Sequence, residues 1–180
     1  MHFLNRYYNK TLNYDLINKF PYNTTKKLPK LKKITLNFGG KTTEVKHLAS
    51  SLLALELITN QKGSFTTASR PNIRLKIRSG NPTGCKVTLR RNYMFDFFLK
   101  TLVEIFPKIK NFKGIQITKK TKKNVFSYEI NDVFIFPELE EHYYLFNNLP
   151  KLHITIVTSC KSKEEFFFLL KSLQLPFKRS

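Results

Sequence analysis

The 180-residue chain has no tryptophan, two cysteines, six glycines and twelve acidic side chains. Cys85 and Cys160 form no C-x-x-C and have no histidine pair beside them, so neither a zinc site nor a redox pair is expected. Both are expected to be small buried residues in strands. Long apolar runs are missing too: stretches such as Phe166–Leu170 fall far short of the roughly 20 residues that span a bilayer. The start, MHFLNRYYNK, lacks the apolar core of a signal peptide, and Asp15 with few Ser or Arg argues against a transit peptide. Negative charge is scarce as well, relative to positive. Thirty-two Lys and Arg face twelve Asp and Glu, giving +20 and a pI near 10.0. The charged fraction, 24%, is ordinary; the sign is not. With 41% hydrophobic and 14% aromatic residues, the chain is no disordered basic tail. A domain of this length buries roughly 70% of its unfolded surface. A disulfide scaffold and a membrane protein are disfavoured, and a folded polyanion-binding domain is favoured.

The positive charge has a pattern. Lys outnumbers Arg 25 to 7, and with 15 Asn and 17 Phe this reads as A/T-rich coding. Yet Arg70, Arg74, Arg78, Arg90 and Arg91 fall within 22 residues. A guanidinium binds phosphate or guanine bidentately and stacks on bases, which an ammonium cannot do. Residues 1–91 hold 18 basic and 3 acidic side chains, net +15, against +5 for residues 92–180. The N-terminal half is the electrostatic face.

Periodicity predicts the elements. Leu4, Tyr7/Tyr8, Leu12, Leu16 and Phe20 stripe a helix over 4–20 that Pro21 ends. Segment 31–38 alternates Ile34, Leu36, Phe38 with Lys33, Thr35, Asn37, a half-buried strand. Gly39-Gly40 then turns into a helix over about 43–59, with Val45, Leu48, Leu52 and Leu55 on one face. Residues 72–78 and 85–90 read as two antiparallel strands joined by SGNPTG, each with one apolar and one basic face. Stretch 92–106 is apolar nearly all round, a well-buried helix stopped by Pro107. Strands follow at about 125–136 and 151–158, and Ser162 with Glu165 forms a capping box for a last helix. The expected class is α+β, a single domain with a mostly antiparallel sheet and helices packed on one face.

Gly39-Gly40-Lys41-Thr42 ends like a phosphate-binding P-loop, but Thr35 stands where the first glycine is required. The milder reading is one backbone phosphate at that helix start. His2, His47, His142 and His153 are scattered and suggest no shared site. Glu138, Glu140 and Glu141 read as a solvated turn after Pro137, or as a face for a basic partner. Lys119–Lys123 is a phosphate contact or a solvated loop. The basic alternation over 74–90 is better evidence, although by itself it does not choose between RNA, DNA and anionic lipid.

At these residues the chain resembles the large-subunit ribosomal protein L5 family, whose bacterial and organellar members bind 5S rRNA in the central protuberance. LPKLKKITLNFGG (28–40), TNQK around Gln61, LKIRSGNPTGCKVTLR (75–90) and MFDFFLKTLVEIFPKIKNFKGI (94–115) carry the likeness. IFPELEE (135–141), ITIVTSCKSKEE (154–165) and the terminal LPFKR follow in the family's order. The run before the last strand is most similar to mitochondrial members. A mitochondrial, organelle-encoded origin is therefore expected, with a plastid or an A/T-rich bacterium as the alternative. The resemblance implies a non-enzymatic structural protein without cofactor, metal or membrane. Residues 1–91 would face RNA and residues 92–180 would lie on the bridge side. It places rRNA contacts on Asn37, Gln61 and Thr88, with Lys33, Lys86, Arg90 and Arg91 holding phosphates of 5S-type and large-subunit rRNA. Arg70, Arg74, Lys76 and Arg78 would form a loop toward peptidyl-site tRNA. The C-terminal half would meet other ribosomal proteins, including a small-subunit bridge partner. VFSYEIND (125–132) and Lys119–Lys123 depart from the family pattern. The rival readings are a general DNA- or RNA-binding protein, a phosphotransferase built on Gly39–Thr42, and a membrane-surface protein.

Overall fold

The computed structural model describes residues 3–40, 44–110, 112–116, 123–146 and 149–178. Its class is α+β, with one five-stranded sheet: β1 Leu31–Gly39, β2 Ser64–Thr67, β3 Pro82–Leu89, β4 Val125–Ile130 and β5 Leu152–Thr158. The strand order is β2-β3-β1-β5-β4. Three bonds show antiparallel neighbours: Gly40 N–H donates to Thr83 O (2.8 Å), Ser159 N–H to Lys30 O (2.9 Å) and Thr158 N–H to Asn124 O (2.9 Å). In each, the end of one strand meets the start of the other. The helices are α1 (3–19), α2 Val45–Thr59, α3 (91–108), α4 Pro137–Glu141 and α5 Lys163–Ser172. The chain condenses into two compact units, one of residues 1–34, 90–127 and 156–180, the other of 35–89 and 128–155.

In the first unit α1 buries Leu4, Tyr8, Leu12 and Leu16. A repeat of four residues drifts by about 40° per step on a regular helix. The chain takes up this drift in a widened turn over Tyr8–Leu12, where Asn13 N–H reaches back five residues to Tyr8 O. The Tyr8 hydroxyl donates to Pro29 O and fastens α1 to the segment entering β1. Helix α3 departs from expectation in two ways. It buries one side only, through Met94, Phe97, Phe98, Thr101, Ile105 and Phe106, while Tyr93 and Val103 are exposed. Nor does it stop at Pro107. A second widened turn, Thr101–Ile105, restarts the ladder, so Pro107 falls in a first turn where its missing N–H costs little. The capping box of α5 is present: Glu165 N–H donates to Ser162 Oγ (3.1 Å) and Ser162 N–H to the Glu165 carboxylate (3.4 Å).

In the second unit α2 packs on β3 and β2. Leu48, Ser51, Ala54, Leu55, Ile58 and Thr59 are buried, whereas Val45 in the first turn is exposed. The expected strand over 72–78 is not one. Asn72 and Ile77 bond each other in both directions (2.8 and 3.0 Å), so the residues between them form a tight hairpin tip. The strand paired with β3 is β2, with Ser64 opposite Lys86 and Phe65 opposite Cys85. The strand expected to reach 136 ends at Ile130, because the Asp132 carboxylate accepts Phe134 N–H (3.1 Å) and curls the chain into a short helical turn. Glu138, Glu140 and Glu141 lie on the short helix α4 rather than in a turn; Glu138 and Glu140 are in its first turn, where the helix dipole favours acids, and Glu141 is its last residue. Cys85 lies in β3 as expected, but Cys160 follows β5 in a loop; both are buried.

Burial pushes the Tyr8 hydroxyl up from 10.0 to about 12, with the nearby Cys160 adding to the effect. The folded protein therefore keeps a proton that the unfolded chain releases between these values. Tyr8 contributes no pH dependence below about pH 10 and a loss of stability as pH rises from about 10 to 12. Urea titrations at pH 9 and pH 11 are expected to show a smaller loss for Tyr8→Phe than for the wild type.

Candidate nucleic-acid interface

Period-two alternation gives β1 and β3 two chemically different faces. Ile34, Leu36 and Phe38 are at most 1% exposed, while Lys33, Thr35 and Asn37 between them are half-buried. Cys85, Val87 and Leu89 are buried, Thr88 is half-buried and Lys86 exposed. Gly84 fixes the register. A Cβ there would stand 2.6 Å from Phe38 O and 3.6 Å from Gly39 Cα, so the two backbones approach as only glycine allows. Counting along the antiparallel ladder from Gly84 opposite Gly39 sets Lys86 opposite Asn37 and Thr88 opposite Thr35. Since Ser64 pairs with Lys86, Ser64, Lys86 and Asn37 form one polar row across three strands.

Gln61 joins this surface from the end of α2. Asn60 takes the left-handed conformation (φ 52°) and caps the helix through Glu56 O (2.8 Å), while Glu56 Oε1 accepts Gly63 N–H (3.2 Å). The turn so held lets Gln61 Nε2 donate to Thr88 O (3.2 Å). Two of the three polar positions expected to touch rRNA are thus joined by a hydrogen bond. Gln61 keeps its carbonyl oxygen and one amide hydrogen for a further partner. Thr35 and Ser64 complete the surface. The strand carrying Ser64 shows no buried alternation that periodicity could detect.

Besides Lys86 within β3, further cations lie toward the strand ends. Lys33 precedes Asn37 on the same side of β1. Arg90 and Arg91 directly follow β3, both exposed, and Arg91 holds a left-handed φ of 53° as α3 begins. That conformation is uncommon for a residue with a side chain and is found where position outweighs comfort. Arg70, Arg74, Lys76 and Arg78 are all exposed in the segment between β2 and β3, which is closed by Ala68 N–H to Asn81 O (2.9 Å) and Gly80 N–H to Ala68 O (2.9 Å). The cations thus fall on or beside the strands β1 and β3 (Lys33, Lys86, Arg90 and Arg91) and on the hairpin between β2 and β3 (Arg70, Arg74, Lys76 and Arg78).

Among the described residues of the turn after β1, Gly40 and Glu44, nothing supports the phosphotransferase reading. The Gly40 amide is spent on Thr83 O, and the residue capping α2 is the carboxylate-bearing Glu44. Lys41 and Thr42 lie outside the described residues, as do His2 and Lys119–Lys122. His47 and His153, not expected to share a site, line one cleft of about 440 Å³ beside Gly39 and Gly84. Each has its own carboxylate, Glu44 at 3.2 Å and Glu129 at 3.3 Å. Among the described residues no group of three or more His, Cys, Asp or Glu could hold a metal ion, and no helix is long and apolar enough to cross a membrane. Residues 124–150 invert the charge of the rest: they contain five acidic side chains and no Lys or Arg.

The family model for the C-terminus of the ribosomal L5 family matches residues 82–177. The large ribosomal subunit protein uL5m of Reclinomonas americana is 38% identical, covering 99% of this chain and 100% of the relative. Large ribosomal subunit protein uL5 of Geotalea daltonii is 38% identical over 97% of this chain and 98% of its own. That of Nitrosomonas europaea is 36% identical over 96% of each.

Two measurements probe the sheet under this surface. Gly84→Ala is expected to cost about 2 kcal/mol in chemical denaturation, because the added methyl meets backbone that cannot turn away. Burial raises the Cys85 thiol from 9.0 to about 11, and its Sγ donates to Leu48 O (3.4 Å). At pH 8 its thiolate fraction should be about 100-fold below that of an unperturbed thiol. Iodoacetamide should accordingly label Cys85 in urea and spare it in buffer.

Proposed function

The chain belongs to the ribosomal L5 family and is a structural, non-enzymatic component of the large ribosomal subunit with rRNA and other ribosomal proteins as partners, and from that premise we propose that its β1–β3 surface binds 5S-type rRNA in the central protuberance. The observation that carries this reading is the row Ser64–Lys86–Asn37 beside the Gln61–Thr88 hydrogen bond. Amides and hydroxyls at fixed strand spacing suit the sugar hydroxyls and base edges of a shallow RNA minor groove. Lys33, Lys86, Arg90 and Arg91 suit the phosphates on either side and fix register without reading sequence. Residues 1–91 are thus the RNA-facing part of one ribosomal-protein domain.

Two further contacts belong to the proposal. The hairpin bearing Arg70, Arg74, Lys76 and Arg78 faces peptidyl-site tRNA, whose backbone it meets by charge. The acidic stretch 124–150, with Tyr143 and Tyr144 exposed, is unsuited to phosphate and suited to a basic protein, such as the small-subunit partner of an intersubunit bridge. We place the protein in a mitochondrial ribosome, on the strength of the Reclinomonas relative and the A/T-rich coding. Genes of the organelle itself are the proposed source.

Binding of the full chain to 5S-type rRNA should weaken with salt. Neutralising about six phosphates gives a slope of log affinity against log salt on the order of −5. Asn37→Ala should weaken binding by about tenfold without changing that slope, since it removes a neutral contact. Arg90→Lys should weaken it several-fold, whereas Lys171→Arg on α5 should do little. Equal affinity for duplex DNA of the same length would instead favour a general nucleic-acid binder.

A further inference from the structure

The tip of the cationic hairpin carries a residue that phosphate binding does not require. Ile73 is 93% exposed, and Leu75 two residues on is 42% exposed. Isolated apolar residues on a surface need no explanation. This pair is different, because the tip holding it is built in detail. Asn72 and Ile77 exchange two backbone hydrogen bonds, and Ile77 is buried, at 7% exposure. Lys76 N–H donates to Ile73 O (3.1 Å), the Asn72 side chain accepts Leu75 N–H (3.4 Å), and Lys76 holds a left-handed φ of 53°. Turns of this kind are made by Gly, Asn, Asp or Ser, so a β-branched Ile at the apex is not there to make the turn. It is also surrounded by charge of one sign. Arg70, Arg74, Lys76 and Arg78 are exposed, and no acidic residue occurs between Glu56 and Asp96.

An apolar apex on a hydrogen-bonded turn, ringed by cations, matches one kind of surface. Cations bring it to a polyanion, and the apolar side chain finds purchase only where a base face is open. In a regular duplex the base faces are stacked against each other and hidden. Apolar wedges flanked by Arg and Lys are a known way of engaging an open base step. We propose that Ile73 packs against an unstacked base plane of a folded RNA, so that this hairpin distinguishes RNA with exposed base faces from duplex RNA of equal charge. This inference rests on the reading that the hairpin faces RNA, and it adds the apolar contact that gives selectivity.

The chain has no tryptophan, so Ile73→Trp introduces a single emitter at the apex. The full chain is titrated with deacylated tRNA as a folded RNA and with a 20-base-pair RNA duplex, and binding is followed independently by filter retention. Fluorescence of the introduced indole should be quenched on binding tRNA and unchanged on binding duplex. Ile73→Ser should weaken tRNA binding roughly tenfold and duplex binding less than twofold. Its salt slope should equal that of the wild type, and Ile73→Leu should restore most of the affinity. Because Ile73 packs against almost nothing within its own chain, these variants fold. Equal losses on both RNAs, no loss on either, or quenching by duplex would overturn the proposal. Arg74→Ala with Arg78→Ala separates the two levels. If that pair flattens the salt slope while Ile73→Ser does nothing, only the base contact fails. If the pair changes nothing, or the wild type binds no tRNA, the RNA-facing reading of the hairpin fails with it.

Discussion

Everything on the proposed RNA surface depends on the two-residue period of β1 and β3. The same strands must bury Ile34, Leu36 and Phe38 against a core and hold Lys33, Thr35 and Asn37 in view. A slip of one residue would exchange the two sets, placing lysine in the core and phenylalanine on the surface. Gly84 guards against that slip, because only at this register does a residue without Cβ meet Phe38 O. The core thus determines the geometry of the interface as much as the polar residues do. Removing apolar burial would disperse the row Ser64–Lys86–Asn37 before it removed any charge.

Charge is organised on the same principle of separation. A chain of +20 meeting a partner that is mostly phosphate can place cations almost anywhere and gain affinity. What distinguishes this one is where cations are withheld. Residues 124–150 carry none, and their acids sit on β4, in the turn after it and on α4. Such a stretch repels the phosphate that cations elsewhere in the chain attract, which is why the protein contact proposed above falls there. In the hairpin between β2 and β3 the opposite holds, with cations crowded and no acid near in sequence.

Much of this was legible before the fold was known, and the exceptions have physical causes. Alternation located β1 and β3 because each has one dry face. It misread 72–78, where Ile73, Leu75 and Ile77 alternate with cations in the same way but only Ile77 is buried. Alternation shows that a segment is able to present two faces; it does not show that another layer covers one of them. Strand β2 left no trace, since none of its four side chains is buried. In α3, apolar residues all round suggested full burial, yet Tyr93 and Val103 face outward. The link between Gln61 and Thr88 spans 27 positions and is set by the cap at Asn60, beyond the reach of any local pattern. The capping box at Ser162 was legible because its two bonds join residues three apart.

The most direct test of the central claim is ultraviolet crosslinking of assembled large ribosomal subunits, with the crosslinked peptides of this chain mapped by mass spectrometry. RNA adducts are expected to concentrate on residues 33–37, on Gln61 and on residues 86–91, with 124–150 free of them. Adducts confined to other segments, or a heavily crosslinked acidic stretch beside an unmarked β1–β3 surface, would contradict it.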